Sequence, residues 1–184
     1  MGNKPISVCL FCGSRTGNNP AFITEARAFG KLLAQRGHRL VYGAGDRGIM
    51  GETARAMQDA DGHITGVIPQ HLVDAEIGKS DVDDYVVTNN MHERKMLMFE
   101  RSQAVVTLPG GPGSLDELIE VLTWRQLGLH EKPIIIMNVQ GYWDPLITLL
   151  QNTIDNGFAD QNILDFLTIA EDAASTIEAL ERTA

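Results

Sequence analysis

Residues 104–127 read AVVTLPGGPGSLDELIEVLTWRQL, and they hold a strand, a glycine loop and a helix in succession. Ala104–Leu108 is a short apolar run rich in β-branched residues and closed by Pro109, Gly110 and Gly111, the pattern of a buried strand. Over Ser114–Leu127, Leu115, Leu118, Ile119 and Leu122 follow i, i+3, i+4, i+7 spacing, the stripe of an amphipathic helix. A strand that feeds a helix through glycine is the repeating unit of a parallel α/β sheet. The alternation continues outward in both directions. Strands are expected at Ile6–Phe11, Arg39–Tyr42, His63–Ile68, Asp84–Val87, Pro133–Met137 and Leu167–Ala170, and helices at Pro20–Arg36, Ile49–Asp59, Met91–Arg101, Asp144–Asn156 and Asp172–Arg182. Asn19-Pro20 has the form of a cap followed by Pro at the first helical position, and Gly37 and Gly62 stand where helices should stop. Continuous apolar runs such as PIIIM at 133–137 suit strands covered on both sides. The prediction is a doubly wound, Rossmann-like parallel sheet with helices on both faces, one domain over residues 1–184.

Composition narrows the partners. The chain has 184 residues, 43% hydrophobic and 21% charged, a globular balance. That length buries roughly 70% of the unfolded surface without disulfide or metal staples. The net charge of −9 argues against a nucleic-acid polymer or an anionic membrane surface as partner. Eight of the acids, against a single base, lie in residues 140–184, away from the glycine loops. The N-terminus lacks a signal-peptide run, Met1-Gly2 does not fit the myristoylation pattern, and a cytoplasmic protein is expected. Cys9 and Cys12 form C-x-x-C, but a second ligand pair for zinc is missing, and an odd separation along a strand points them to opposite faces. Buried, inert thiols are expected.

Glycine is the enriched residue, 18 in all, and seven fall in two loops that each follow a strand and precede a helix. In an open α/β sheet, ligands bind where such loops leave the carboxyl ends of strands. Gly43, Gly45, Gly48 and Gly51 form the first loop. Their spacing would let backbone amides approach a phosphate, but the stretch 63–69 lacks the acid a dinucleotide site would need. The simpler alternative is tight turning and helix–strand packing. Gly110, Gly111 and Gly113 form the second loop, ahead of Ser114 and Glu117. That pair has capping-box spacing, yet the three glycines also leave the helix's positive end open to an anion, with a carboxylate one turn in. A third segment, Asn89–Lys95, sets His92, Arg94 and Lys95 near a positive helix end, a mild conflict that an anionic ligand would remove. The Met96–Phe99 run that follows is expected in the core.

These segments, in this order, resemble the LOG ("lonely guy") family of cytokinin riboside 5′-monophosphate phosphoribohydrolases, often labelled lysine-decarboxylase-like. The resemblance runs from Cys12-Gly13-Ser14 to Trp124–Leu129; P-G-G-x-G-T-x-x-E is matched by Pro109–Glu117, and M-H-x-R-K by Met91–Lys95. Ser114 stands for the usual Thr and keeps the hydroxyl, Pro112 fills a position that is often aromatic or polar, and Ala44 replaces a Gly. The resemblance implies hydrolysis of the N-glycosidic bond of purine nucleoside 5′-monophosphates, adenine or N6-substituted adenine, to free base and ribose 5-phosphate, without metal or cofactor. It implies Arg94 and Glu117 as the catalytic pair. Gly13, Ser14, Gly45, Gly48, Met50, Gly51, Met91, Lys95, Gly110, Gly111, Gly113 and Ser114 would shape the nucleotide pocket. It also implies a homodimer, which a second apolar face on the helix after Ser114 (Val121, Trp124, Leu127, Leu129) independently suggests.

Cleaving an N-riboside builds positive charge on the sugar, and an ionised Glu117 is its natural partner. Asp116 is turned about 100° away on the same helix. Arg94 would either position Glu117 and the phosphate or hydrogen-bond the departing base. His92 is a second candidate acid, with a structural role at the helix start as the plainer reading. A pyridoxal decarboxylase would need a Schiff-base lysine and a phosphate cup in a larger fold, and the single motif lysine, Lys95, adjoins Arg94. The other classes left open are a non-catalytic nucleotide-binding or carrier module of the same fold and a nucleosidase of broader base range.

Overall fold

Ser7–Phe11 (β1) is apolar at nearly every position and takes the central place in the sheet, where both faces are covered. In the computed structural model, which describes residues 4–75 and 78–183, the other strands are β2 Arg39–Tyr42, β3 Ile64–Pro69, β4 Asp84–Thr88, β5 Ala104–Thr107, β6 Ile134–Met137 and β7 Leu167–Ala170. All pair in parallel, in the order β4-β3-β2-β1-β5-β6-β7. Cys9 stands level with Val41 on one side and Val105 on the other. The residues Met1 and Gly2, on which the myristoylation reading rests, lie outside the described residues.

The helices are α1 Pro20–Gln35, α2 Gly48–Gln58, α3 Gln70–Asp74, α4 Met91–Glu100, α5 Pro112–Gln126, α6 Asp144–Asp155 and α7 Ala173–Arg182. Alternation along the strands sorts them into two layers. Val8, Leu10 and Val106 face Phe29 and Leu33 of α1, Met57 of α2 and Leu180 of α7. Cys9, Phe11 and Val105 face Met98 of α4, Leu118 and Leu122 of α5, and Leu150 of α6. The doubly wound sheet is as expected, and both cysteines are free, buried, on opposite faces, with burial pushing their thiol pKa values up.

The side on which strands are added reverses at β1, which has β2 on one edge and β5 on the other. The loops after β1 and β5 therefore diverge to opposite faces and open a crevice between them, the switch point at which α/β sheets take ligands. Among the described residues, no helix is long and apolar enough to cross a membrane.

Several expectations need correction. α5 begins at Pro112, with Gly111 as its cap and without a side-chain capping bond, so Ser114 and Glu117 form no capping box. Proline's fixed φ suits the first helical position and draws the start two residues back. The buried stripe of α5 is Leu118, Val121 and Leu122, leaving Ile119 37% exposed. Met96, expected in the core, is 45% exposed, because α4 buries Arg94 and Met98 instead. The short α3 went unforeseen: its five residues bury no side chain, so no periodic signal marks it.

Candidate active site

Arg94 owes its position to the start of α4. The Asn90 side chain accepts from the backbone N–H of Glu93, and the Glu93 carboxylate accepts from the N–H of Asn89, so this helix end is capped from both directions. One turn in, Arg94 is 7% exposed. Its Nε donates to the Val67 carbonyl at 3.1 Å and its Nη2 to the Gly43 carbonyl at 2.8 Å, with Nη1 3.7 Å from Met91 Sδ. The guanidinium is thereby pinned to β3 and to the loop that leaves β2. Gly43 is required by this approach, since a Cβ there would fall on the guanidinium.

Lys95 turns the other way. Its Nζ lies 3.0 Å from Asp116 Oδ2 and 2.9 Å from Glu120 Oε2, tying α4 to α5 outside the cleft. The charge conflict at the head of α4 is thus relieved by carbonyls and carboxylates of the protein itself. His92 is exposed and does not line the cleft.

Glu117 sits one turn into α5. Burial raises its carboxyl pKa to about 7, against the lowering pull of Arg94 and Lys95. Arg94 acts on it through space rather than through a hydrogen bond. Such a carboxyl, half-buried, unpaired and facing a cleft, is the kind of group that chemistry uses. Ser114 is 3% exposed and packs its Oγ against Gly110, where a Cβ would strike it.

The cleft, about 970 Å³, lies over the crevice between β1 and β5. It brings together Gly13, Ser14, Gly45, Met50, Met91, Arg94, Gly110, Gly111, Gly113, Ser114 and Glu117. Gly48, Gly51 and Lys95 are not in its wall. Gly48, at φ +64°, and Gly51 instead allow close packing, against the backbone of Ser14–Arg15 and of Asp46 respectively. Strand order sorts the wall by chemistry. Toward β3 and β4 it is apolar around Arg94, with Ile68, Leu72 and Met91, and Met50 adds to it from α2; toward β5 it is glycine backbone, Ser114 and the start of α5, which has no side-chain cap.

Residues 50–180 match the family model described as "Possible lysine decarboxylase". The probable cytokinin riboside 5′-monophosphate phosphoribohydrolase LOG4 of Oryza sativa subsp. japonica is 38% identical over 184 residues, 100% of this chain and 80% of its own length. The cytokinin riboside 5′-monophosphate phosphoribohydrolase LOG2 of Arabidopsis thaliana is 36% identical over 174 residues, 95% of this chain and 82% of its own. The chain belongs to the LOG family. Among solved structures, the Moco carrier protein from Chlamydomonas reinhardtii has the same fold, with a TM-score of 0.72 at 22% identity over 97% of both chains.

In this LOG protein the sequence reading did not foresee Arg15, Phe22, Arg47, Ile68, Leu72 or Tyr142 in the cleft wall. Arg15 follows the end of β1 and Ile68 is the next-to-last residue of β3, so the rule that ligands gather at carboxyl ends could have found them. Tyr142 arrives from a 3₁₀ turn beyond β6, and no local pattern announces it.

Proposed function

We propose that this LOG protein hydrolyses the N-glycosidic bond of adenine or N6-substituted adenine nucleoside 5′-monophosphates, releasing the base and ribose 5-phosphate. The observation that carries the reading is the meeting, in one cleft, of the pinned Arg94 guanidinium and the unpaired, half-buried Glu117 carboxyl. From β3 to β5 is three strand spacings, about 14 Å. Base, ribose and phosphate fit along that span in one direction. The apolar wall of Ile68, Leu72 and Met91 suits the base, and the open amides at the start of α5, with Ser114, suit the phosphate.

The ribose then lies beside Glu117. As the C1′–N bond breaks, the base leaves with the bonding electrons and positive charge spreads over the sugar ring. Ionised Glu117 stabilises that charge and orients the water that adds at C1′; the proton this water gives up ends on the departing base nitrogen, so neutral base and ribose 5-phosphate are released. Arg94 has spent Nε and one Nη2 hydrogen on the backbone, which leaves N–H groups for the departing base, whose negative charge they offset. A guanidinium fixed this way acts on the substrate, not by holding Glu117.

The decarboxylase description finds no support in the residues. A pyridoxal enzyme needs a lysine at the reacting centre, and no described lysine lines the cleft. The reaction proposed here uses neither metal nor cofactor. We further propose a cytoplasmic homodimer. The deciding experiment is a panel of nucleoside monophosphates, including AMP and N6-alkylated AMP, scored by released base and by binding. Base release from at least one adenine nucleotide is expected, whereas binding without release would make the protein a carrier.

A further inference from the structure

Tyr142 reaches the cleft by an unusual route. After β6 the chain makes a 3₁₀ turn over Val139–Gly141 in which Gln140 and Gly141 both take positive φ, 51° and 75°. A non-glycine residue in that region is held there by its surroundings. Here the Gln140 side chain accepts from Asn19 Nδ2 at 2.6 Å, and the Asn138 side chain accepts from the Trp143 N–H at 2.7 Å while its amide donates to Asp144. The turn is thus tied to the cap of α1 on one side and to the start of α6 on the other. Its result is to carry Tyr142 back over the second glycine loop. There Tyr142 Oη donates to the Gly110 carbonyl at 2.5 Å, and its ring sits edge-on to Phe22 with centroids 5.3 Å apart.

Gly110 and Gly111 share one rigid peptide plane, in which C=O and N–H point in opposite directions. Two glycines in sequence would otherwise leave that plane free to rotate. We propose that Tyr142 is a positioning residue. By holding the Gly110 carbonyl it fixes the Gly111 N–H and the following amides at the start of α5 in the orientation that receives the substrate phosphate. This rests on the proposed function for the place of the phosphate at the start of α5, but not for hydrolysis.

The test compares Tyr142→Phe, which removes only the hydroxyl, with Tyr142→Leu, which also removes the ring. Inorganic phosphate binding is measured by calorimetry, alongside KM and kcat for AMP and inhibition by adenosine, which lacks the phosphate. Tyr142→Phe is expected to weaken phosphate binding and raise KM by about five- to tenfold, the worth of one neutral hydrogen bond, with kcat and adenosine inhibition within about twofold. Tyr142→Leu should add little to that loss. Wild-type phosphate binding in the Phe variant, or an equal loss of adenosine affinity, would overturn the proposal. A wild-type protein that binds phosphate but releases no base would refute the hydrolase reading alone, and the calorimetry would still decide Tyr142.

Discussion

Glu117 and Arg94 are each set by burial, with opposite consequences. For Glu117 the carboxyl ionises near 4.5 in the unfolded chain and near 7 in the folded one. Between those values the unfolded state gives up its proton first, so ionisation favours unfolding and stability falls as pH rises, levelling off above about 7. Glu117→Gln removes the effect. The variant should match wild type in denaturant unfolding below about pH 4 and exceed it at pH 8 by at most about 3 kcal/mol. Catalysis runs the other way, because the ionised form is the one that stabilises the sugar cation. Turnover of AMP should therefore rise with pH through about 7 in wild type. A turnover that falls over that range would make Glu117 a proton donor instead. Glu117→Gln and Arg94→Ala should each lose about 10²-fold or more in turnover. They should separate in stability, since removing Arg94 leaves the Gly43 and Val67 carbonyls without their donor, at about 1–3 kcal/mol.

At the level of elements, the two glycine loops serve different ends. The first makes room for a side chain from elsewhere. Gly43→Ala should push Arg94 from its seat and lower kcat/KM for AMP at least about tenfold, while the thermal midpoint moves by only a few degrees. The second loop keeps a helix end unoccupied. Gly111 caps α5 in extended backbone with open space where a Cβ would be, so an acidic cap is sterically welcome there. Gly111→Asp should stabilise the fold by a few tenths of a kcal/mol, yet raise KM for AMP at least about tenfold, because its carboxylate takes the amides meant for the phosphate and repels it. A variant with improved stability and unchanged KM would show that the phosphate binds elsewhere. α4 and α5 are also joined directly by Lys95, which accounts for a motif lysine outside the cleft wall.

For the whole molecule, Met96 on α4, Ile119 on α5, and Leu127 and Leu129 just beyond it remain between 37% and 68% exposed. A second copy would cover such a face, and a sedimentation mass about twice 20.1 kDa is expected, falling to one chain mass in a Leu127→Glu, Leu129→Glu double variant. The order of strands and long helices was legible along the chain because each buried element writes its period locally, as PIIIM does for β6 and Asn19-Pro20 does for α1. The paired motifs around Arg94 and Glu117 likewise pointed to one family. What stayed hidden depended on contacts far apart in sequence. Arg94 is held by carbonyls 51 and 27 positions away, and Tyr142 meets Gly110 across 32. The sequence by itself determined a doubly wound sheet with glycine loops at its carboxyl edge. Only the tertiary structure decided that Arg94 faces the cleft while Lys95 turns to α5, and that Glu117 lies half-buried and unpaired. Burial and long-range hydrogen bonding arise when strand order brings distant loops to one edge, and no single loop encodes them.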